Sequence, residues 1–253
     1  MKVVILAGGK GTRFSGLTEF VPKPLIDVNG KPIITRIVEH YSHHGFKDFI
    51  IPVGYKGEMI KNYFKNFDLN NSNLTIKFNP NKVVEYDKKF DGLSFQIIDT
   101  GLEALTALRL YRLKDVLTDD IFMLTYGDGL SDVNITKLLN FHKKHGKIAT
   151  MTIIRPPGRF GELELGDNSE ITYFKEKLKI SKGWINGGFF VFNRNFFDYI
   201  SDKNEMLEQI PLNKLSEDNQ LAGYKHNGFW QCMDTLRDKE ILEKNLKQKK
   251  HLE

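Results

Sequence analysis

The chain has 253 residues, 40% of them hydrophobic and 27% charged, an ordinary globular balance that excludes disorder and collagen-like repetition. Its 37 Lys and Arg against 32 Asp and Glu leave a net charge of +5, too small and too dispersed to define a nucleic-acid surface, with one obvious basic run from Lys244 to Lys250. A mild positive balance also suits anionic small ligands, whose encounter rate a focused positive cleft raises. The single cysteine, Cys232, excludes an intrachain disulfide and leaves the fold to its core. Met1 to Ala7 contains only a short apolar stretch, well below a signal peptide or a membrane span, so the chain reads as soluble, cytoplasmic and independent of membranes.

Val3 to Leu6 is a continuous apolar run closed by glycines, the pattern of a strand buried on both faces. Pro32 then opens a helix whose apolar positions Ile33, Ile34, Ile37, Val38 and Tyr41 recur at helical spacing, with Gly45 as its C-cap. Phe49 to Val53 predicts a second buried strand, Met59 to Phe67 an amphipathic helix, and Ile121 to Leu124 a core strand running into Tyr126-Gly127-Asp128-Gly129. Asn134 to His145 reads as a helix stopped by Gly146. The runs Ala149 to Ile154, Glu162 to Leu165, Ile171 to Phe174 and Trp184 to Phe192 extend the sheet and add a small β subdomain. Leu236 to Lys247 closes the chain as an amphipathic helix with Leu236, Ile241, Leu242 and Leu246 on one side. Strands alternating with helices predict an α/β fold: a doubly wound, mostly parallel, Rossmann-like sheet. No linker or internal repeat divides the chain, so one domain is expected over residues 1–253.

The strongest chemical signal is Leu6-Ala7-Gly8-Gly9-Lys10-Gly11-Thr12-Arg13, directly after the first strand, with Lys23 between Pro22 and Pro24 downstream. Glycines let a backbone approach polyphosphate without a Cβ in the way, and loops at the carboxyl ends of parallel strands are where α/β folds bind ligands. The segment is not a P-loop, and the dinucleotide fingerprint fails because Phe14 stands where its third glycine belongs. A dinucleotide-dependent oxidoreductase is thereby disfavoured. On the residues alone, Asp128 is open between a turn and a ligand. Asp234, before Thr235 and the last helix, is open between a helix cap and a ligand. Asn186, followed by Gly187 and Gly188, is open between a plain bulge and close approach by a ligand. The histidines have no companion ligands at metal spacing and read as helix-surface residues. Phe189, Phe190, Phe196 and Phe197 read as core.

Leu6 to Arg13 with Pro22-Lys23-Pro24 resembles the signature of nucleoside-triphosphate:sugar-1-phosphate nucleotidyltransferases. Thr125-Tyr126-Gly127-Asp128-Gly129, Pro156 to Gly161, Ile185 to Val191, and Gly228-Phe229-Trp230 through Met233 to Lys239 narrow the resemblance to the glucose-1-phosphate cytidylyltransferase family. It implies a nucleotidyltransferase sheet and Mg²⁺-dependent transfer of CMP from CTP to a phosphorylated acceptor, commonly by a homo-oligomer. The same resemblance implies Arg13 on the departing pyrophosphate, Lys23 at the reacting phosphates, Lys177 on the acceptor phosphate, and Asp128 and Asp234 on the metal. It further implies Leu6, Ala7, Gly8, Gly9, Gly11, Thr12, Thr106, Arg109 and Gly127 for the nucleotide, and Glu162, Glu176, Asn186 and Gly188 for the acceptor. Bare electrostatics agree with that chemistry: the substrates bring together about six negative charges, and an anionic nucleophile needs no general base.

Three departures concern the acceptor. Thr106-Ala107-Leu108-Arg109 replaces the family's Thr-Gly-Gly-Arg, Glu176-Lys177-Leu178 replaces Glu-Lys-Pro, and Glu162 follows Gly161 where the family has Ala. These resemble cytidylyltransferases of capsular polysaccharide modification that use L-glutamine phosphate to make CDP-L-glutamine, the acceptor expected first; Glu162 would face its ammonium. Glucose 1-phosphate, giving CDP-glucose, is the alternative, and a non-catalytic nucleotide-binding protein the distant one. Residues 19–22 and 82–91 are open between lids and arms reaching a neighbouring subunit.

Overall fold

The computed structural model describes residues 1–12, 14, 16, 18–78, 82–87, 90–156, 162–165, 170–175 and 183–248, with the backbone alone for 162–165 and 173–175. Seven strands form the main sheet: β1 Lys2–Leu6, β2 Asp48–Val53, β3 Ser94–Asp99, β4 Ile121–Tyr126, β5 Ala149–Ile154, β6 Ile185–Asn193 and β7 Leu221–His226. Their spatial order is β7-β5-β6-β4-β1-β2-β3. β6 runs antiparallel to both neighbours, and every other pair is parallel. The helices are α1 Ile33–His43, α2 Gly57–Lys65, α3 Phe67–Asn71, α4 Thr106–Tyr111, α5 Ile135–His145, α6 Ile210–Glu217 and α7 Leu236–Gln248.

Side chains alternate across a strand, so the continuous apolar runs of β1, β2 and β4 feed two cores at once. Val3, Ile5, Phe49, Ile51 and Met123 face α1, α2, α5 and α7, whereas Val4, Leu6, Ile50, Phe122 and Leu124 face α4, α6 and the 3-10 turn Arg194–Tyr199. Each such side chain, fully buried, contributes roughly 1.5–3 kcal/mol of transfer free energy. The sheet is the expected doubly wound, mostly parallel Rossmann-like architecture. The strand order reverses at β1, with β2 on one side and β4 on the other, and a crevice opens there at the carboxyl ends.

The caps explain several boundaries. Asn134 accepts from the Lys137 amide at 2.8 Å and starts α5, and Gly146 ends it at φ +69°. Gly45, at φ +84°, lets the chain turn back after α1. The helix expected over 59–67 begins at Gly57 and stops at Lys65; Asn66 bonds back to Asn62 through both its amides and α3 restarts at Phe67. The small β element is a separate hairpin of Glu162–Leu165 with Ile171–Lys175, while 149–154 and 185–193 belong to the main sheet. In α7 the buried positions are Asp238, Leu242 and Leu246, four residues apart on one face. Leu236 and Ile241 are exposed instead, because they lie off that stripe.

The histidines are not all surface residues. His142 is buried, with Nδ1 at 2.8 Å from the Thr150 hydroxyl and Nε2 at 3.0 Å from the Asn193 side chain. His226 lies on β7, and His40 on the inner side of α1, where its ring donates to the Val133 carbonyl at 2.9 Å. Burial, reinforced by His44, holds His40 down to about 4, so it folds neutral. Between pH 6.5 and 4 the unfolded chain therefore binds more protons than the folded one, and the contribution present above pH 6.5 disappears as pH falls to about 4. Urea titrations should show stability falling across that window, with a share of about 3 kcal/mol from His40 that His40→Gln removes. Equal slopes in both proteins would contradict this.

Candidate active site

The first wall of the crevice is the glycine loop. The Ala7 amide donates to the Pro52 carbonyl at 3.1 Å, and the Gly8 carbonyl accepts from the Tyr55 amide at 3.2 Å, which ties the loop to the end of β2. Gly11 turns at φ +63°, and Phe14, buried beyond it, donates its amide back to the Gly11 carbonyl at 2.8 Å. Gly8 is forced by its neighbour: a Cβ there would stand 2.3 Å from the guanidinium of Arg109.

Arg109, on α4, is buried, and its fork is spent on the protein. Nη1 donates to the Val53 carbonyl, the Thr100 hydroxyl and the Gly101 carbonyl at 2.8–3.0 Å, and Nη2 to the carbonyls of Gly8 at 2.8 Å and Leu102 at 3.3 Å. It reaches the crevice wall, yet its donors hold together the loops that follow β1, β2 and β3. Arg109 thus stands at the crevice, where a nucleotide contact is expected of it, and also clamps the loops that frame the site. The neighbouring departures from the family motif, Ala107 and Leu108, are both buried, Ala107 in the core, and neither is among the described residues that line the crevice.

Charge converges on the opposite side. Pro22 and Pro24 flank Lys23 at the start of a single 3-10 turn, Lys23–Leu25, which fixes the direction of Lys23. Its Nζ lies 2.7 Å from Asp128 Oδ2 and 2.6 Å from Asp234 Oδ1. Burial alone would lower the lysine's pKa; Asp128 and then Asp234 outweigh it and hold the ammonium above its ordinary range. Asp128 follows β4 through Gly127, where a Cβ would meet the Leu6 carbonyl at 2.5 Å, so only glycine lets β4 end so close to β1.

Asp234 is brought there by a ribbon. Gly129–Ser131 pairs antiparallel with Trp230–Cys232, Cys232 opposite Gly129, and the Met233 amide then bonds the Asp128 carbonyl at 2.8 Å. The capping role that the sequence left open for Asp234 falls to Thr235. The Thr235 amide and hydroxyl donate to the Asp238 carboxylate, and the Asp238 amide returns to the Thr235 hydroxyl, forming a capping box. Cys232, beside the carboxylates, has its thiol pushed up to about 11, by burial first and then by Asp234 and Asp128, so it offers no thiolate at neutral pH.

A third wall was invisible in the sequence. Glu208 accepts from the Tyr126 hydroxyl at 2.5 Å and from the Thr106 hydroxyl at 3.0 Å. Burial and the adjacent carboxylate hold the Tyr126 phenol far above its ordinary range, so it keeps its proton and donates. Behind it, Asn186 donates to the Tyr126 hydroxyl at 3.0 Å and accepts from the Gly188 amide at 2.8 Å. The Asn186-Gly187-Gly188 segment is a bulge on β6: the register with β5 shifts between Met151 and Ile153, and both Gly188 and Phe189 take positive φ. Asn186 and Gly188 therefore pack against Tyr126 and are not among the described residues that line the crevice. No local pattern marks Glu208; it arrives because residues 204–207 zip onto 103–107 through the Asn204 side chain and the Ala107 and Leu207 amides.

The resulting crevice, about 340 Å³, gathers Leu6, Ala7, Gly8, Gly9, Gly11, Thr12, Lys23, Thr106, Arg109, Gly127, Asp128 and Asp234, with Tyr126, Met206 and Glu208 added. Arg13, Glu176, Lys177 and the side chain of Glu162 lie outside the described residues. No group of three or more His, Cys, Asp or Glu at metal spacing occurs among the described residues. Two carboxylates sharing one cation, at a crevice beside the glycine loop, still fit a hard divalent ion, which needs only one or two carboxylates and takes its remaining ligands from phosphate and water.

Comparison with known proteins agrees with this geometry. The family model described as nucleotidyl transferase matches residues 2–247, and the chain belongs to that family. It is 46% identical over 244 residues to a glucose-1-phosphate cytidylyltransferase of Salmonella typhi, covering 96% of this chain and 95% of the relative. It is 42% identical to a probable glucose-1-phosphate cytidylyltransferase of Bacillus subtilis, covering 97% and 95%. Among solved structures, a putative glucose-1-phosphate thymidylyltransferase from Bacillus anthracis superposes with a TM-score of 0.71 at 19% identity over 97% of this chain and 94% of that one, which supports the fold. The protein is an enzyme, a nucleotidyltransferase.

Arg109→Lys should separate the clamp from a ligand contact. One ammonium cannot reproduce the fork, so thermal denaturation should show a loss of about 1–3 kcal/mol in the nucleotide-free protein. Unchanged stability with weakened nucleotide binding would instead make Arg109 a direct ligand.

Proposed function

We propose that the chain transfers CMP from CTP to a small phosphorylated acceptor and releases pyrophosphate. The observation that carries the reading is Lys23 poised between Asp128 and Asp234 at the mouth of the glycine loop, and the similarity to cytidylyltransferases supports cytidine as the base. An acceptor phosphate oxygen forms the new bond to the α-phosphorus as the bond to the β-phosphate oxygen breaks, and the electron pair leaves with pyrophosphate. The nucleophile is already an anion, so the protein supplies position and countercharge.

In this reading the glycine loop cradles the triphosphate with backbone amides, Lys23 neutralises charge at the reacting phosphates, Arg13 holds the departing pyrophosphate and Lys177 the acceptor phosphate. Asp128 and Asp234 would hold Mg²⁺, which supplies Lewis-acid stabilisation of the phosphate oxygens when bound. Tyr126, Thr106 and Glu208 form a hydrogen-bonding wall for an uncharged or cationic part of a substrate. The resemblance supports a single nucleotidyltransferase domain, acting in the cytoplasm as a homo-oligomer.

Glucose 1-phosphate is the acceptor that the relatives' names support. L-Glutamine phosphate is the second reading, favoured by Glu162 and Leu178 in place of the family's Ala and Pro. The carboxylate of Glu208 suits the ammonium of the second acceptor and the hydroxyls of the first. Pyrophosphate release with Mg²⁺ should be measured for CTP, UTP, dTTP and ATP against glucose 1-phosphate, other sugar 1-phosphates and L-glutamine phosphate. CTP should be the preferred nucleotide, and the productive acceptor selects between the two readings; no release with any pair would sink the enzymatic proposal. Lys23→Met should lower kcat about 10²–10³-fold, the usual cost of removing a charge-stabilising donor.

A further inference from the structure

We infer that Lys23 is the resident counter-cation of the carboxylate pair, holding Asp128 and Asp234 closed to a divalent ion until a nucleotide triphosphate draws the lysine away. The inference rests on the reading of those two residues as the metal carboxylates. The ammonium lies 2.7 Å from one carboxylate and 2.6 Å from the other, so it occupies the space in which a shared cation must sit.

Geometry gives the lysine two destinations. Its backbone is fixed by the 3-10 turn, with the Leu25 amide bonded to the Pro22 carbonyl at 2.8 Å and the Ile26 amide to the Lys23 carbonyl at 3.1 Å. The side chain beyond it borders the same crevice as the glycine loop; a Cβ on Gly11 would lie 3.5 Å from the Lys23 Cβ. Rotation about the side-chain bonds alone can therefore carry the ammonium from the carboxylates toward phosphates held by the loop. The carboxylates do not move with it, because Asp128 and the residue before Asp234 are joined through the Met233 amide and the ribbon behind it.

Charge balance sets the order of events. With Lys23 in place, two negative charges are offset by one positive charge and the pair presents little attraction to a free divalent ion. A triphosphate offers the ammonium stronger anions, and its departure leaves two adjacent carboxylates whose repulsion a divalent ion relieves. Nucleotide and metal thus load together, and the lysine arrives at the phosphates in the same rearrangement.

The experiment uses Mn²⁺ alone as the probe, followed by water-proton relaxation on the intact, nucleotide-free protein. The wild type should bind weakly at this site, and both Lys23→Met and Lys23→Gln should bind about tenfold or more tightly, with Lys23→Arg resembling the wild type. Adding Asp234→Asn to Lys23→Met should abolish the gain, and circular dichroism checks that each variant is folded. A parallel titration with Mn²⁺ and CTP compares wild type with Asp234→Asn. If the charge-removing variants bind Mn²⁺ no better than wild type while the CTP titration shows enhancement lost in Asp234→Asn, the counter-cation role is overturned and the metal carboxylates stand. If Asp234→Asn leaves the CTP titration unchanged, the assignment of the metal carboxylates fails and the inference falls with it.

Discussion

Three loops at one end of the sheet depend on a single buried guanidinium. Buried backbone carbonyls in the loops after parallel strands need donors, since each left unpaired would cost roughly 1–3 kcal/mol, and the Thr100 and Tyr55 amides supply one each to Val53 and Gly8. Arg109 adds a donor to several at once: Val53 at the end of β2, Gly101 and Leu102 after β3, and Gly8 after β1. The glycine at position 8 is as much a consequence of this clamp as of any ligand, since a methyl group there would collide with the fork. The glycine loop is thus shaped from behind, by the body of the protein.

The opposite side of the crevice is shaped by closure of the chain. β4 delivers Asp128, and the return of the polypeptide through the Trp230–Cys232 ribbon delivers Asp234 beside it. The register of that ribbon, Cys232 against Gly129, fixes the spacing of the two carboxylates, and the capping box of Thr235 and Asp238 starts α7 directly behind them. α7 then anchors itself in the core with Leu242 and Leu246. α7 therefore helps to hold Asp234 in place at the crevice.

The inner strands were legible because their apolar runs are continuous, and β1, β2 and β4 stand within two residues of their expected limits at each end. α1 and α5 were legible from Pro32, Gly45, Asn134 and Gly146, residues whose backbone preferences leave little choice. Edge strands β3 and β7 carry polar, half-exposed sequences, such as Ser94-Phe95-Gln96-Ile97-Ile98-Asp99, and give no continuous apolar signal. At the site, Lys23, Asp128 and the glycine loop could be read from local pattern, and Asp234 only through resemblance. Glu208 could not be read at all, because its place depends on hydrogen bonds from a segment some hundred residues away in sequence. Arg109 was visible as a residue of the site, but its clamp was not, since a sequence does not show which carbonyls a buried guanidinium will meet.

The two sides of the crevice are built from separate parts of the chain. The carboxylate pair and the glycine loop rest on the central strands, where a change would disturb both cores, whereas Glu208 hangs on a peripheral connection between the 3-10 turn and α6 that touches α4 through a few hydrogen bonds. A substitution of Glu208 would therefore alter the lining of the crevice without touching the strands that carry Asp128 and the glycine loop. One wall of the crevice can thus change in shape and charge while the other keeps its framework, provided that Leu207 beside Glu208 stays in the core.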